Sequence, residues 1–242
     1  MDNVVLEKVM SDCQAQMRDN QGYRLLVWCL ALLLLLAAQV MEVGAWDRQR
    51  EQLIPILGIT MDQEQAGTVA YLVLSFEDRK DLGGLAVHFM AGSGRFSPMA
   101  QTSVEQAIRR AAQSLRLSTD SWTVILSVPY QGVTIYGNSL SAMVGLSVVA
   151  LAEGKFIRSD RTITGTVTPD GHIGPVGSVG LKVAAAYEAH LRRVIVSEEH
   201  DPTDDEWQTP FLMHVYPVGS VEKAYVALTE EDTNDRTPLD RR

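Results

Sequence analysis

An unbroken apolar run from Leu25 to Met41 (LLVWCLALLLLLAAQVM), 17 residues without a charge, dominates the amino-terminal part of the hydropathy pattern. Continued past Glu42 to Trp46, the stretch is long enough to cross a hydrocarbon core of roughly 30 Å at about 1.5 Å per helical residue. Tyr23 and Trp28 near one end and Trp46 at the other suit the two interfacial belts. Residues 25–46 are therefore read as a transmembrane anchor preceded by a tail, residues 1–24. A cleavable signal peptide ending at Val43-Gly44-Ala45 is the alternative, but the 24 residues ahead of the run carry four acids. A buried core helix fits less well, since nothing polar interrupts the apolar ring on any face. Lys8, Arg18 and Arg24 precede the run and Arg48 and Arg50 follow it, a bias toward a cytoplasmic amino terminus and an extracytoplasmic domain.

Beyond the run the pattern changes. Residues 47–66 (DRQREQLIPILGITMDQEQA) read as a juxtamembrane linker. TVAYLVLSF and GLAVHFM are β-branched apolar runs separated by the polar turn EDRKDLG, which predicts an antiparallel hairpin. In TSVEQAIRRAAQSLRL, Val104, Ile108, Ala111 and Leu115 recur at helical spacing. SWTVILSVP predicts a buried strand closed by Pro129. YQGVTIYG is then a loop leading into a helix over Ser139–Ala152, ended by Gly154. TITGTV and the Gly-rich PDGHIGPVGS predict a strand, a turn and an extended segment. LKVAAAYEAHL predicts a helix, RRVIVSEE and MHVYPV strands, and SVEKAYVAL a last helix capped by Ser220. The order argues for an α+β domain over residues 67–228, with a disordered acidic tail over residues 229–242.

Composition narrows the chemistry. A net charge of -9 argues against nucleic acid, which wants clustered Lys and Arg. Both cysteines, Cys13 and Cys29, precede residue 47, so the globular part has no disulfide framework and no Cys-based zinc site. The histidines, His88, His172, His190, His200 and His214, show no metal-ligand spacing. No metal or cofactor is expected.

Two places remain. Gly137-Asn138-Ser139 brings a hydroxyl to the start of a helix, where unpaired N–H groups and the helix dipole favour a developing negative charge. Gly137 and Asn138 would then form the oxyanion and substrate loop, although a helix start is also where Ser139 or Asn138 serves as an ordinary N-cap. Lys182 lies among Val179, Leu181, Val183 and Ala184; buried there, an amine loses solvation and shifts toward a useful general base. Alone, such a lysine is more often a snorkelling surface residue.

Taken together, these segments resemble the catalytic half of the Lon protease domain. The family carries its nucleophile in segments of the type DGPSAG or EGDSAS and its lysine in GG-L-K or GGV-x-x-K; YGNSLS and GSVGLK hold those places here. The interval from Ser139 to Lys182 is 43 residues, similar to the family's. TITG is similar to its MTG, DGHIGPVG to its R-G-x-V-L-P-I-G, and VIVSEEH to its VLIPEEN. The ten-residue step from the end of SVP to Ser139 also agrees with its HVP-to-Ser interval. The likeness implies the Lon proteolytic fold, related to the second domain of ribosomal protein S5, after one transmembrane helix. It implies Ser139 as nucleophile, Lys182 as general base and Thr164 as the threonine that orients the lysine amine. Asn138, Ser141 and Thr166 depart from the family's usual residues, which bears on substrate preference. No G-x-x-x-x-G-K-[ST] occurs, so the family's ATPase module is expected to be absent and the activity ATP-independent, on flexible or unfolded protein and peptide segments. The family's habit of ring assembly implies a homo-oligomer, a hexamer. The competing expectation is a catalytically silent scaffold or peptide-binding protein that keeps the fold alone.

Overall fold

In the computed structural model the residues described are 50–60, 64–199, 201 and 207–229. The expected anchor at 25–46, the tail before it and residues 230–242 lie outside them. Among the described residues no helix is long and apolar enough to cross a membrane. The fold is mixed α and β. Its strands are β1 (Arg50–Ile59), β2 (Gly67–Asp78), β3 (Ala86–Phe89), β4 (Arg95–Phe96), β5 (Trp122–Ser127), β6 (Thr134–Ile135), β7 (Arg161–Ile163), β8 (Thr166–Val167), β9 (Ile173–Gly174), β10 (Arg193–Ser197) and β11 (His214–Val218). The helices are α1 (Pro98–Ser114), α2 (Ser141–Ala152), α3 (Val179–Glu188) and α4 (Val221–Thr229).

The linker reading of residues 47–66 is corrected over half of its length. Arg50–Ile59 is a strand paired antiparallel with β2 from Arg50↔Phe76 to Ile59↔Gly67. Ile54, Ile56 and Leu57 are buried, which is why this segment belongs to the core. Pro55 lacks an N–H, and it is tolerated because β1 is the edge of its sheet. That edge is covered by the chain around residues 157–162: the Gln52 carboxamide bonds both the N–H and the C=O of Ile157, and Thr162 Oγ1 donates to Pro55 O at 2.8 Å.

The hairpin expected between β2 and β3 is a second correction. The sheet order is β1-β2-β5-β3, with β5 antiparallel to β2 and parallel to β3. β5 is buried along most of its length and takes a strand on each side. Arg79 fixes the intervening turn over the start of β5, donating to Thr123 Oγ1 at 2.6 Å, Trp122 O at 3.2 Å and Gly84 O at 2.7 Å.

Helix α1 begins four residues earlier than the periodicity predicted, because Ser97 caps it by accepting from Ala100 N, with Pro98 in the first turn. It packs on α2, where Gly145 lets the two backbones approach: a Cβ there would lie 2.9 Å from Ala107 O. Helix α2 is buried on nearly every side and runs through the middle of the main core. A second sheet, β11-β10-β7, is wholly parallel. Helix α3 packs on it through a separate apolar cluster of Val183, Ala186, Val194 and Val196, to which β1 adds Leu57. The predicted last helix is present, and Ser220 Oγ accepts from Lys223 N at 3.3 Å as expected of its cap. Thr229 closes that helix, so the expected disordered tail cannot begin before residue 230.

Candidate functional site

Ser139 lies in the turn just ahead of α2. Gly137 opens the turn at φ +80, a conformation open to glycine and strained for residues with a Cβ. The N-cap is Leu140, with no side-chain capping bond, so neither Asn138 nor Ser139 has its side chain committed to ending the helix. Ser139 is half-buried and Asn138 exposed. Among the described residues, the backbone N–H groups of Ser139 and Leu140 donate to no other group. Unpaired N–H groups ahead of a helix are donors that an anion can meet.

The turn is fastened to the strand segment that carries Thr164. Gly165 N donates to Ser139 O at 3.0 Å, and Ala142 N donates back to Gly165 O at 3.2 Å. Thr164 itself is buried, with its N–H on Ile195 O at 3.0 Å in the middle strand of the parallel sheet. Among the described residues its hydroxyl has no hydrogen-bond partner. A buried hydroxyl left unpaired costs about 1–3 kcal/mol, which singles this one out.

Lys182 comes from the first turn of α3, where its N–H reaches Ser178 O at 3.2 Å. Only 4 % of the residue is exposed, and Nζ donates to Gly177 O at 2.9 Å. The snorkelling surface alternative is thereby corrected, since the residue is buried. Just before the helix, Ser178 holds φ 58 and ψ 37, the left-handed region that favours glycine.

Ser139 and the Thr164 segment are joined through Gly165, and Lys182 comes from the start of α3. Pro175, Val176 and Val179 at the start of α3 line a small pocket together with Val196 and Ser197 at the carboxyl end of β10. Thr164 follows β7 at that same carboxyl edge, and Ser139 is tied to its neighbour Gly165. The carboxyl edge of a parallel sheet is where α/β folds place ligands. Gly177, the acceptor for Lys182, carried no signal in the sequence beyond its place in a Gly-rich stretch.

The acids with depressed pKa values lie elsewhere. Glu153, just past the far end of α2, is held below the ordinary carboxylate range by the Tyr225 hydroxyl and then by Lys155. Asp160 is lowered chiefly by its hydrogen bond from Arg158. Among the described residues, no group of three or more His, Cys, Asp or Glu side chains is arranged to hold a metal ion.

Comparison with known proteins converges on the same stretch. The profile of the Lon protease (S16) C-terminal proteolytic domain matches residues 92–210, a range that contains Ser139, Thr164 and Lys182. The chain is 26% identical over 192 residues to the archaeal Lon protease of Thermococcus kodakarensis, covering 76% of this chain and 29% of that one. It is 23% identical over 232 residues to the Lon protease of Desulforamulus reducens, covering 85% of this chain and 28% of the relative. Over 81 residues it is 33% identical to the peroxisomal Lon protease homolog 2 of Danio rerio, which is 34% of this chain and 10% of that protein. The chain thus spans between 10% and 29% of the length of these relatives.

Proposed function

We propose, from the premise that residues 92–210 are recognised as a Lon protease C-terminal proteolytic domain, that this chain is a serine endopeptidase acting through a Ser139–Lys182 dyad. The homologues support a serine peptidase function. The observation that carries the finer reading is the burial of Lys182, at 4 % exposure. Burial disfavours the charged form of an amine, and a neutral amine is what a base for a serine hydroxyl must be.

In this mechanism Lys182 Nζ takes the proton of Ser139 Oγ as that oxygen attacks the scissile carbonyl. The tetrahedral oxyanion is met by the free N–H groups of Ser139 and Leu140, with Gly137 and Asn138 shaping the loop around the substrate. Collapse breaks the C–N bond, and the leaving amine takes the proton back from Lys182. An acyl ester remains on Ser139, and water deprotonated by the same amine hydrolyses it. Thr164 Oγ1, a buried acceptor without a partner, suits a hydrogen bond from the Lys182 amine when Nζ turns from Gly177 O toward the serine.

The reading extends to an ATP-independent enzyme held at a membrane by residues 25–46, with its catalytic domain outside the cytoplasm and its subunits in a ring, cleaving flexible or unfolded segments. Labelling of the full chain by a serine-directed fluorophosphonate, together with turnover of a flexible peptide, tests the activity. Both are expected to vanish in Ser139→Ala with the fold unchanged. Turnover that survives in Ser139→Ala refutes the assignment.

A further inference from the structure

We infer that Gly67, more than 110 residues away in sequence, is a positioning residue for Lys182. The inference rests on the dyad reading above. Gly67 opens β2 opposite Ile59, the last residue of β1. A Cβ at Gly67 would lie 1.9 Å from Leu181 O and 2.6 Å from the carbonyl carbon of Leu181, with Ala185 Cβ at 3.0 Å. Its φ lies outside the left-handed region, so backbone conformation does not demand a glycine here. Space does.

The obstructed atoms decide the consequence. Leu181 C=O and Lys182 N–H belong to one planar peptide unit, so force on that oxygen is transmitted to the Lys182 backbone. Neither atom can rotate away, because both are part of the first turn of α3. That turn is held on a second side by Trp207: a Cβ at Gly180 would lie 2.7 Å from Trp207 Cβ and 2.9 Å from its Cγ. Two glycines thus let a strand end and an indole close on the single turn that presents the lysine. Relieving the contact at Gly67 from 1.9 Å to the 3.0 Å that real Cβ atoms keep requires the first turn of α3 and the strand end to part by about 1 Å. A misplacement of about 1 Å in a reacting group is enough for rate losses on the order of hundredfold.

Gly58 supplies the control, since it lies in the same hairpin with only an ordinary contact, Thr68 Cγ2 at 3.5 Å. The test uses the full chain and a flexible peptide substrate, with kcat, KM and the pH–rate profile measured for Gly67→Ala, Gly58→Ala and Lys182→Met. Gly67→Ala is expected to lower kcat by at least about tenfold with KM little changed, and to displace the ascending pH limb, since the amine sits in altered surroundings. Gly58→Ala should keep both as in the native chain. A Gly67→Ala protein with native kcat and native pH limb, beside an inactive Lys182→Met, overturns the positioning role and leaves the dyad standing. Turnover by Lys182→Met overturns the dyad, and this inference with it. If Gly67→Ala does not fold, Gly180→Ala presses the same turn from its other side, against Trp207. A lowered kcat with a displaced limb in that variant upholds the inference, and native values refute it.

Discussion

A chain that begins at residue 60 should fail to fold, while one that begins at residue 49 should fold cooperatively. Among the buried side chains of β1 are Ile54, Ile56 and Leu57, each at most 4 % exposed. At roughly 1.5–3 kcal/mol apiece, their burial comes to about 5–9 kcal/mol. The whole stability of a domain is typically about 5–15 kcal/mol, so losing β1 removes most of it. Its loss also strips the outer partner from β2, and the Gln52 and Pro55 bonds that tie down residues 157–162. Arg50, which donates to the Leu151 and Ala152 carbonyls at the end of α2, goes as well. Ile54→Ala offers a milder version and should cost about 2–5 kcal/mol. Urea unfolding followed by tryptophan fluorescence is a fitting assay, because Trp122 is buried and packs edge-on against Phe76 at 5.4 Å, on the strand β1 covers. If the chain from residue 60 unfolds at the same urea midpoint as the chain from residue 49, β1 is accessory and residues 47–66 are a linker after all.

The proposed base gives a second prediction: Lys182→Arg should abolish peptide turnover despite keeping the charge, because guanidinium does not deprotonate in proteins. Lys182→Met should do the same with the fold retained, and the native pH–rate profile should rise from neutral to alkaline pH. Thr164→Val should lower kcat while leaving the melting temperature unchanged or raised, since it removes a buried hydroxyl that has no partner; a lower melting temperature with native kcat would make that hydroxyl structural. Acid should weaken the tie between α2 and α4. The folded-state pKa of Glu153 lies below its ordinary 4.5, so the stability from its bond with Tyr225 is present above that value and is lost as pH falls through the depressed one. The melting-temperature gap between the native chain and Tyr225→Phe should accordingly be widest near neutrality and close in acid.

The sequence made some of this legible and hid the rest for physical reasons. Runs such as TVAYLVLSF and RRVIVSEE declare strands through local composition, and the helix over residues 104–115 through its period. Strand β1 escaped because Pro55, Gly58 and the charged start of REQLIPILGI lower its β signal, while its reason for being a strand, the pairing with β2, is non-local. The order β1-β2-β5-β3 escaped for the same reason: alternation along β2 and β3 says nothing about which strand lies between them. Ser97-Pro98 was a readable helix start, and the periodicity began too late to use it. Ser139, Thr164 and Lys182 are candidates read from motif and interval. Gly177 and Gly67 are not, because what matters at each is a backbone approach, which leaves no mark on residue type beyond a glycine among many.

Three features around the candidate residues are locally unfavourable. Lys182 carries an amine into a site only 4 % exposed, Thr164 buries a hydroxyl without a partner, and Ser178 holds a left-handed backbone without being glycine. Each has a simple stabilising replacement: Met at 182, Val at 164 and Gly at 178 would remove a desolvation cost, an unpaired hydroxyl and about 1 kcal/mol of backbone strain respectively. A domain kept only as a scaffold has no physical use for any of these costs, and elsewhere the main core is made of close-packed aliphatic side chains. Left-handed backbone at residues other than glycine also occurs at Lys80, Leu82, Arg116, His190 and Leu212, so the catalytic reading rests on the buried amine of Lys182 and the unpaired hydroxyl of Thr164 rather than on Ser178. The scaffold alternative therefore predicts that the three replacements together raise stability at no functional loss. The catalytic reading predicts that they raise stability and end turnover. Both quantities come from one triple variant, so the two accounts separate on a single protein.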